Sequence, residues 1–299
     1  MDVPILQNPL ESVDRKGTVI PRKKVTKDNR IQLPDGRYYE SEGKKLPSVT
    51  TLLNIIAKPA LVHWAAKIER ELVFAASVEY YQELSGAGQE SCQFYLQHLE
   101  QRVGKSRAHQ RVLTEAGEIG NQAHARIEYE LQTELGIQCE FDQPTITHLA
   151  AQQAYDAWKD WRAQTNMRPI AIEQVIVSDK HGYAGTLDLL AEVSGVLSVL
   201  DWKTGKAIYA EALLQNAAYR GAVREMGIGD PKQGFIIRLP KLVDDPGFEV
   251  RDAGDEDSNL KAFLATRDLW QWLKTAEKLL KKEKENDKKE AEEAQDENL

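Results

Sequence analysis

The spacing of apolar and polar positions divides the chain near residue 166. Upstream, apolar residues recur three and four apart, the helical period. Leu52, Leu53 and Ile56 follow Ser48, which is placed to cap the helix they predict. Trp64 and Ile68 share one face of a helix over residues 60–83. Residues 89–134 keep the same period, with Gly104, Gly117 and Gly120 predicting breaks into two or three pieces. Ala150, Ala151, Ala154, Trp158 and Trp161 form an apolar stripe on a helix over residues 145–165. Ahead of all these, Pro34-Asp35-Gly36 reads as a turn between two short extended pieces. Downstream, residues 170–177, 184–193 and 196–203 are rich in Val, Ile and Leu and read as strands. A helix over residues 211–226 follows, then strands at 234–239 and 248–251. A last helix covers residues 258–282, with Leu260, Phe263, Leu264, Trp270, Leu273 and Leu279 available for packing. The order is a helical N-terminal half, then β-β-β-α-β-β, then a helix, with no internal repeat.

The ends differ from the middle. Residues 1–30 are polar, with a basic cluster at Arg22, Lys23, Lys24 and Lys27, and are expected to form a flexible arm. Residues 283–299 have no apolar face and are expected to be a charged, disordered tail. Residues 31–165 form the mostly helical part and residues 166–282 the core. A chain of 299 residues with 41% hydrophobic and 29% charged residues can bury one large core, which excludes a fibrous or wholly disordered class. No apolar run reaches the roughly 18 residues of a membrane span, so no membrane partner is expected. No basic segment leads into an apolar one at the start, so no secretory signal is expected either. Cys92 and Cys139 are the only thiols, which excludes a four-cysteine zinc or iron–sulfur site within the chain and favours a reducing compartment such as the cytoplasm of a bacterial or phage-infected cell. The net charge of −8 argues against coating duplex DNA by bulk electrostatics, though carboxylates that hold a cation would themselves contribute to it.

The richest chemistry lies in residues 183–203, YAGTLDLLAEVSGVLSVLDWK. A hairpin closed at Ser194-Gly195 sets Val193 against Val196 and, carried outward, Asp188 against Asp201. Directly opposed residues have Cβ atoms about 4.5–5.5 Å apart. Lys203 shares the face of Asp201, while Trp202 points the other way. Two opposed carboxylates in an apolar hairpin repel one another. A divalent cation resolves the conflict, since Mg²⁺ takes one or two carboxylates plus waters and phosphate oxygens. The backbone carbonyl of Trp202 is close enough to be a further ligand. Lys203 can then hold an attacking water or a phosphate. The competing reading is a salt-bridged cluster on a solvated sheet face, but Leu190, Val199 and Leu197 on the same face make that face look covered. Other candidates are less specific. Gln215 and Tyr219, and likewise His124 and Glu128, stand four apart on one helix face, a spacing that core residues also show. Glu173 is a second acid near the site or a strand-edge charge. Arg102, Lys105, Arg107, Arg111 and Arg126 could line a phosphate track or a solvated helix face.

Gly185-Thr186-Leu187-Asp188, Asp201-Trp202-Lys203-Thr204 and Gln215-x-x-x-Tyr219 resemble the RecB-like branch of the PD-(D/E)XK nucleases, most closely the mitochondrial genome maintenance exonuclease and its phage-type relatives. The likeness covers roughly residues 47–282 and is weakest over residues 60–110. Leu187 stands where the family name has proline. The resemblance implies an α/β (α+β) fold with a central mixed β-sheet flanked by helices and a helical N-terminal region arching over the active site. It implies Asp188, Asp201 and Lys203 as catalytic, His124 as an additional metal ligand, and Gln215 with Tyr219 as support. It implies Mg²⁺ or Mn²⁺ as cofactor without an iron–sulfur cluster, and as substrate DNA that is single-stranded or has free ends. Tyr80, Tyr81, Phe94 and Tyr95 could stack on bases, or serve a core. An exonuclease acting in replication, recombination or repair, with a protein of those processes as a possible partner, is the leading expectation. A structure-selective or recombination endonuclease with the same site is one alternative. A DNA-binding assembly subunit with a vestigial site is another.

Overall fold

In the computed structural model, residues 11–13, 19–21, 29–83, 92–103, 107–137, 142–242 and 244–296 are described. The hairpin of β7 (Tyr183–Val193) and β8 (Val196–Thr204) is its spine. It turns at Ser194 and Gly195, whose φ angles of 50° and 84° are both positive, as a two-residue turn matched to strand twist requires. Val193 pairs with Val196, and the ladder runs back to Leu189 opposite Leu200, the register expected from the turn. β6 (Met167–Ser178) pairs antiparallel with β7. β9 (Gln233–Leu239) lies parallel to β8, and β10 (Glu249–Asp252) antiparallel to β9. The result is a mixed sheet in the order β10-β9-β8-β7-β6. A parallel pair needs a crossover, and α6 (Ala210–Glu225) provides it between β8 and β9.

Helices cover both faces, which explains why the central strands are apolar almost throughout rather than alternating. On one face α6, α1 (Val49–Leu53) and α7 (Glu256–Asp296) pack Val49, Leu52, Tyr219 and Phe263 over Leu190 and Val199. On the other, α4 (Ala108–Glu134) and α5 (Leu149–Gln164) pack Ile127, Leu131, Trp158 and Trp161 over Leu189, Leu200 and Trp202. Trp202 meets Trp161 edge-on, with ring centroids 5.2 Å apart. α2 (Pro59–Glu83) packs on α4 and on α3 (Cys92–Arg102), while α1, α4 and α5 pack on the sheet itself. The turn expected at Pro34-Asp35 joins β3 (Arg30–Leu33) to β4 (Gly36–Ser41), and β5 (Lys44–Pro47) completes a meander. Ser48 then bridges to Ala184 on β7 and caps α1, its hydroxyl accepting from the Thr51 N–H at 3.0 Å.

Three expectations need amending. Gly117 and Gly120 do not break α4, which is one helix; burial of Ile119, Ala123, Ile127 and Leu131 along it offsets the cost of about 1 kcal/mol for each interior glycine. α7 runs to Asp296 instead of ending near residue 282, in line with the high helix propensity of its Lys-, Glu- and Ala-rich end. Within the arm, β1 (Glu11–Val13) pairs with β2 (Val19–Pro21), while the basic cluster at Arg22, Lys23, Lys24 and Lys27 lies outside the described residues.

α7 is held by Phe263, which is fully buried and edge-on to Tyr183 at 4.9 Å. Phe263→Ala should destabilise the fold by about 3–5 kcal/mol, read as a lowered urea midpoint. A loss below about 1 kcal/mol would mean that α7 lies outside the cooperative unit.

Candidate active site

The β7–β8 ladder stops one pair short of the two acids. Asp188 and Asp201 are next in register after Leu189 and Leu200, and there the strands part. The Trp202 N–H donates to Asp188 Oδ2 at 2.8 Å, so a side chain takes the place of the neighbouring strand. Asp201 is 1% exposed, with the Lys203 ammonium 2.5 Å from Oδ2. Beyond that ion pair, neither of its carboxylate oxygens has a hydrogen-bond donor among the described residues. Buried carboxylates ordinarily accept such bonds. The solvated-face reading is therefore excluded for Asp201.

Glu173 occupies the register position opposite Asp188 on β6, between the pairs Ile172–Leu189 and Gln174–Leu187. Its φ of 47° is left-handed, a conformation that costs a non-glycine residue about 1–3 kcal/mol and concentrates at functional sites. His124 comes from α4. Gly120, one turn earlier, lets the helix approach β8 so closely that a Cβ there would lie 3.0 Å from Thr204 Oγ1. One ligand atom from each of His124, Glu173 and Asp188 lies within 4.8 Å of the others, and His124 Nδ1 is 3.8 Å from Asp188 Oδ2. The Trp202 carbonyl lies close enough to the His124 imidazole to favour its protonated form, which places that expected ligand beside the same cluster. Glu128, one turn beyond His124, accepts from Gln132 at 2.9 Å and adds its negative charge to the field at Asp188.

These neighbours set the protonation states. Burial and the charge of Asp201 raise Asp188 to about 7, against Lys203 and the Trp202 N–H. Burial and Lys203 hold His124 below its ordinary value, so its imidazole is neutral and able to ligate. Burial pulls the Lys203 amine down, but Asp201 and Asp188 outweigh it and the net direction is up, leaving an ammonium. Burial first, then Asp201, pushes the Tyr219 phenol well up.

Gln215 and Tyr219 are both buried, and Gln215 Nε2 donates to the Tyr219 hydroxyl at 2.8 Å. Gly185 makes room for that ring, since a Cβ there would sit 2.7 Å from Tyr219 Cε1. Two supports escaped the sequence reading. Asn216, buried on α6, donates from Nδ2 to the Val199 carbonyl at 3.0 Å. Glu211, in the first turn of α6, pairs with Lys58 at 2.7 Å and acts on the charge of Lys203. Spacing gave no sign of either, whereas Gly120 carried one: it stands four before His124 on the same helix face.

The basic candidates scatter. Arg107 and Arg111 are exposed at the start of α4. Arg102 Nε donates to Glu79 at 2.8 Å. Arg126 turns toward α5, over the Tyr155 ring at 5.3 Å, and donates to Glu130 at 2.7 Å. Lys105 lies outside the described residues. Of the aromatic candidates, Tyr80 is buried beside Tyr95, with ring centroids 5.1 Å apart, and Tyr81 and Phe94 are exposed.

A cluster of carboxylates with one neutral imidazole, beside a buried carboxylate with no donor but the Lys203 ammonium among the described residues, fits a divalent cation held by oxygen and nitrogen. Among the described residues, no helix is long and apolar enough to cross a membrane.

No curated protein matches the chain. Among solved structures it is similar to the protein SSO0001, at 13% identity over 68% of this chain and 86% of that one, with a TM-score of 0.29. It is also similar to the alkaline exonuclease LHK-Exo from Laribacter hongkongensis, at 14% identity over 59% and 88%, with a TM-score of 0.27. The likeness to mitochondrial and phage-type exonucleases rests on the sequence motifs alone. The family model of the PD-(D/E)XK nuclease superfamily matches residues 60–297, a span that contains every residue of the cluster. The chain belongs to the PD-(D/E)XK nuclease superfamily, whose members use divalent metals to hydrolyse phosphodiester bonds of nucleic acids.

Proposed function

We propose that this chain is a metal-dependent DNA exonuclease acting on single-stranded DNA or strand ends in replication, recombination or repair. The observation that supports the catalytic part is the gathering of His124, Glu173 and Asp188 beside Asp201, whose buried carboxylate has, apart from the Lys203 ammonium, no hydrogen-bond donor among the described residues. Asp188, Asp201, His124 and Glu173, with the Trp202 carbonyl beside them, would hold the cation. The imidazole, softer than carboxylate, favours Mn²⁺ over Mg²⁺. When bound, the metal supplies a water of lowered pKa and neutralises charge on the phosphate. Lys203, an ammonium fixed by Asp201, orients the attacking water or a phosphate oxygen. Gln215 and Tyr219 brace β7 at Gly185 behind the acids. Exposed Arg107 and Arg111 suit phosphates of a strand farther along α4. The exonuclease mode is supported by the motif resemblance, and by a net charge of −8 that disfavours wrapping long duplex.

End-labelled single- and double-stranded DNA, incubated with Mg²⁺, Mn²⁺ or EDTA, tests the activity directly. Linear single strands should be degraded with metal and left intact in EDTA, and a circular single strand should resist. Cleavage of circles would sink the exonuclease reading and favour an endonuclease.

Asp201→Asn should abolish cleavage while DNA binding persists. Losing a metal carboxylate removes several kcal/mol of transition-state stabilisation, on the order of 10³-fold in rate. Substantial metal-dependent cleavage by this variant would place the catalytic acid elsewhere.

His124→Ala should lower activity at fixed metal by at least the roughly 10-fold that loss of even an outer partner of a metal ligand costs. Raising the metal concentration should recover part of it. A variant that loses thermal stability but titrates with metal like wild type would return His124 to a structural role.

A further inference from the structure

The segment leaving β8 carries two exposed groups that the chemistry above does not use. Residues 205–209 join Thr204 to α6, and Lys206 and Tyr209 on it face solvent. Tyr209 is 63% exposed. It occupies the N-cap position of α6, with φ −101° and ψ 154°, and its side chain makes no capping hydrogen bond. Ser, Thr, Asp or Asn at that position would stabilise the helix by about 1 kcal/mol. The ring thus neither caps the helix nor fills a core. Its location gives it another use. The loop follows directly on the strand end that carries Lys203, and two residues beyond Tyr209, Glu211 pairs with Lys58 at 2.7 Å and lies within electrostatic reach of Lys203. The Lys203 side chain itself is 34% exposed. The other large exposed aromatics, such as Phe74, Tyr81, Phe94 and Trp272, belong to α2, α3 and α7.

We propose that Tyr209 is a stacking platform for one unpaired base next to the phosphate being cut, and that Lys206 holds a neighbouring phosphate from the same loop. An exposed phenol ring beside a phosphate-handling lysine offers what a single strand presents, a nucleobase π-face flanked by backbone charge. Stacking of this kind tolerates any base, and paired bases inside a duplex cannot offer their faces to it. The loop would therefore select strands with unpaired ends. The inference rests on the proposed DNA substrate and assigns the strand preference to one residue.

Fluorescence anisotropy of a labelled oligothymidylate in EDTA tests it, with a blunt duplex of equal length alongside. Tyr209→Ala should weaken single-strand binding by about 5- to 150-fold, the range for losing one base–aromatic stack. Tyr209→Phe should bind like wild type, and the duplex should bind all variants alike. In metal, Tyr209→Ala should raise KM for single strands more than it lowers kcat. A single abasic site moved along the oligonucleotide should weaken wild type at one position, and Tyr209→Ala at none. Equal binding by Tyr209→Ala, an equal loss on duplex, or a loss with Tyr209→Phe as large as with Tyr209→Ala would each overturn the proposal. Wild type that cuts DNA while Tyr209→Ala is indistinguishable from it sinks this inference alone. Wild type that neither binds nor cuts DNA sinks the proposed substrate as well.

Discussion

Asp201 is an ion taken almost wholly out of water and left with one ammonium for company. Removing a carboxylate from water costs several kcal/mol, repaid only when its lone pairs are satisfied. Those of Asp201 are not, and burial together with the Asp201 charge drives Asp188 beside it toward protonation. Glu173 and Glu128 add further negative charge around His124. A fold can hold this excess only if its scaffold is rigid and if a positive charge enters the cluster. Carboxylate oxygens crowded around a neutral imidazole accept a divalent cation readily, and cation binding converts their mutual repulsion into attraction toward one point.

The scaffold over-determines the cluster from both faces of the sheet. Behind the acids, Tyr219 presses against β7 where Gly185 leaves room, and Asn216 ties α6 to the Val199 carbonyl. In front, α4 lies close to β8 at Gly120 and Thr204, which sets His124 at the Trp202 carbonyl one turn later. Parting of β7 from β8 at the acids frees the Trp202 N–H for Asp188, so the backbone fixes that carboxylate instead of a neighbouring strand. The left-handed backbone of Glu173 is strain that such surroundings can sustain. Each device depends on close approach of backbone to side chain, which is why two of them are glycines.

What the sequence disclosed follows from the range of the interactions. A hairpin is local: Ser194-Gly195 sets the turn, the period of two sets the faces, and Asp188 falls opposite Asp201 by counting. The strands were equally legible, because burial on both faces leaves continuous apolar runs, and so were the helices of residues 145–165 and 211–226, because burial on one face leaves its period in the chain. Contacts between distant segments leave no such mark. Glu173 faces Asp188 only after β6 is paired with its register, and Lys58 meets Glu211 across the seven elements from α2 to β8. Gly117 and Gly120 read as breakers because local propensity penalises them, whereas tertiary packing decides the helix. The end of α7 shows the opposite case: it lacks an apolar face, yet its Lys-, Glu- and Ala-rich composition sustains the helix.

The charge distribution divides the work. By helix rise, Arg111 stands about 20 Å along α4 from His124. Charges exposed to solvent are screened beyond roughly 8–10 Å at ordinary ionic strength. The arginines at the start of α4 therefore cannot offset the acids of the cluster, and the cluster gains nothing from them. A polyanionic strand meets two separate requirements. Distant basic groups can hold its phosphates without perturbing the acids, and the acids can bind a cation without neutralising the basic groups. A net charge of −8 is then no obstacle to acting on nucleic acid. The overall charge slows approach of the strand, but at the site the phosphate encounters Lys203 and whatever cation the carboxylates hold, and at those distances local charge outweighs the sum.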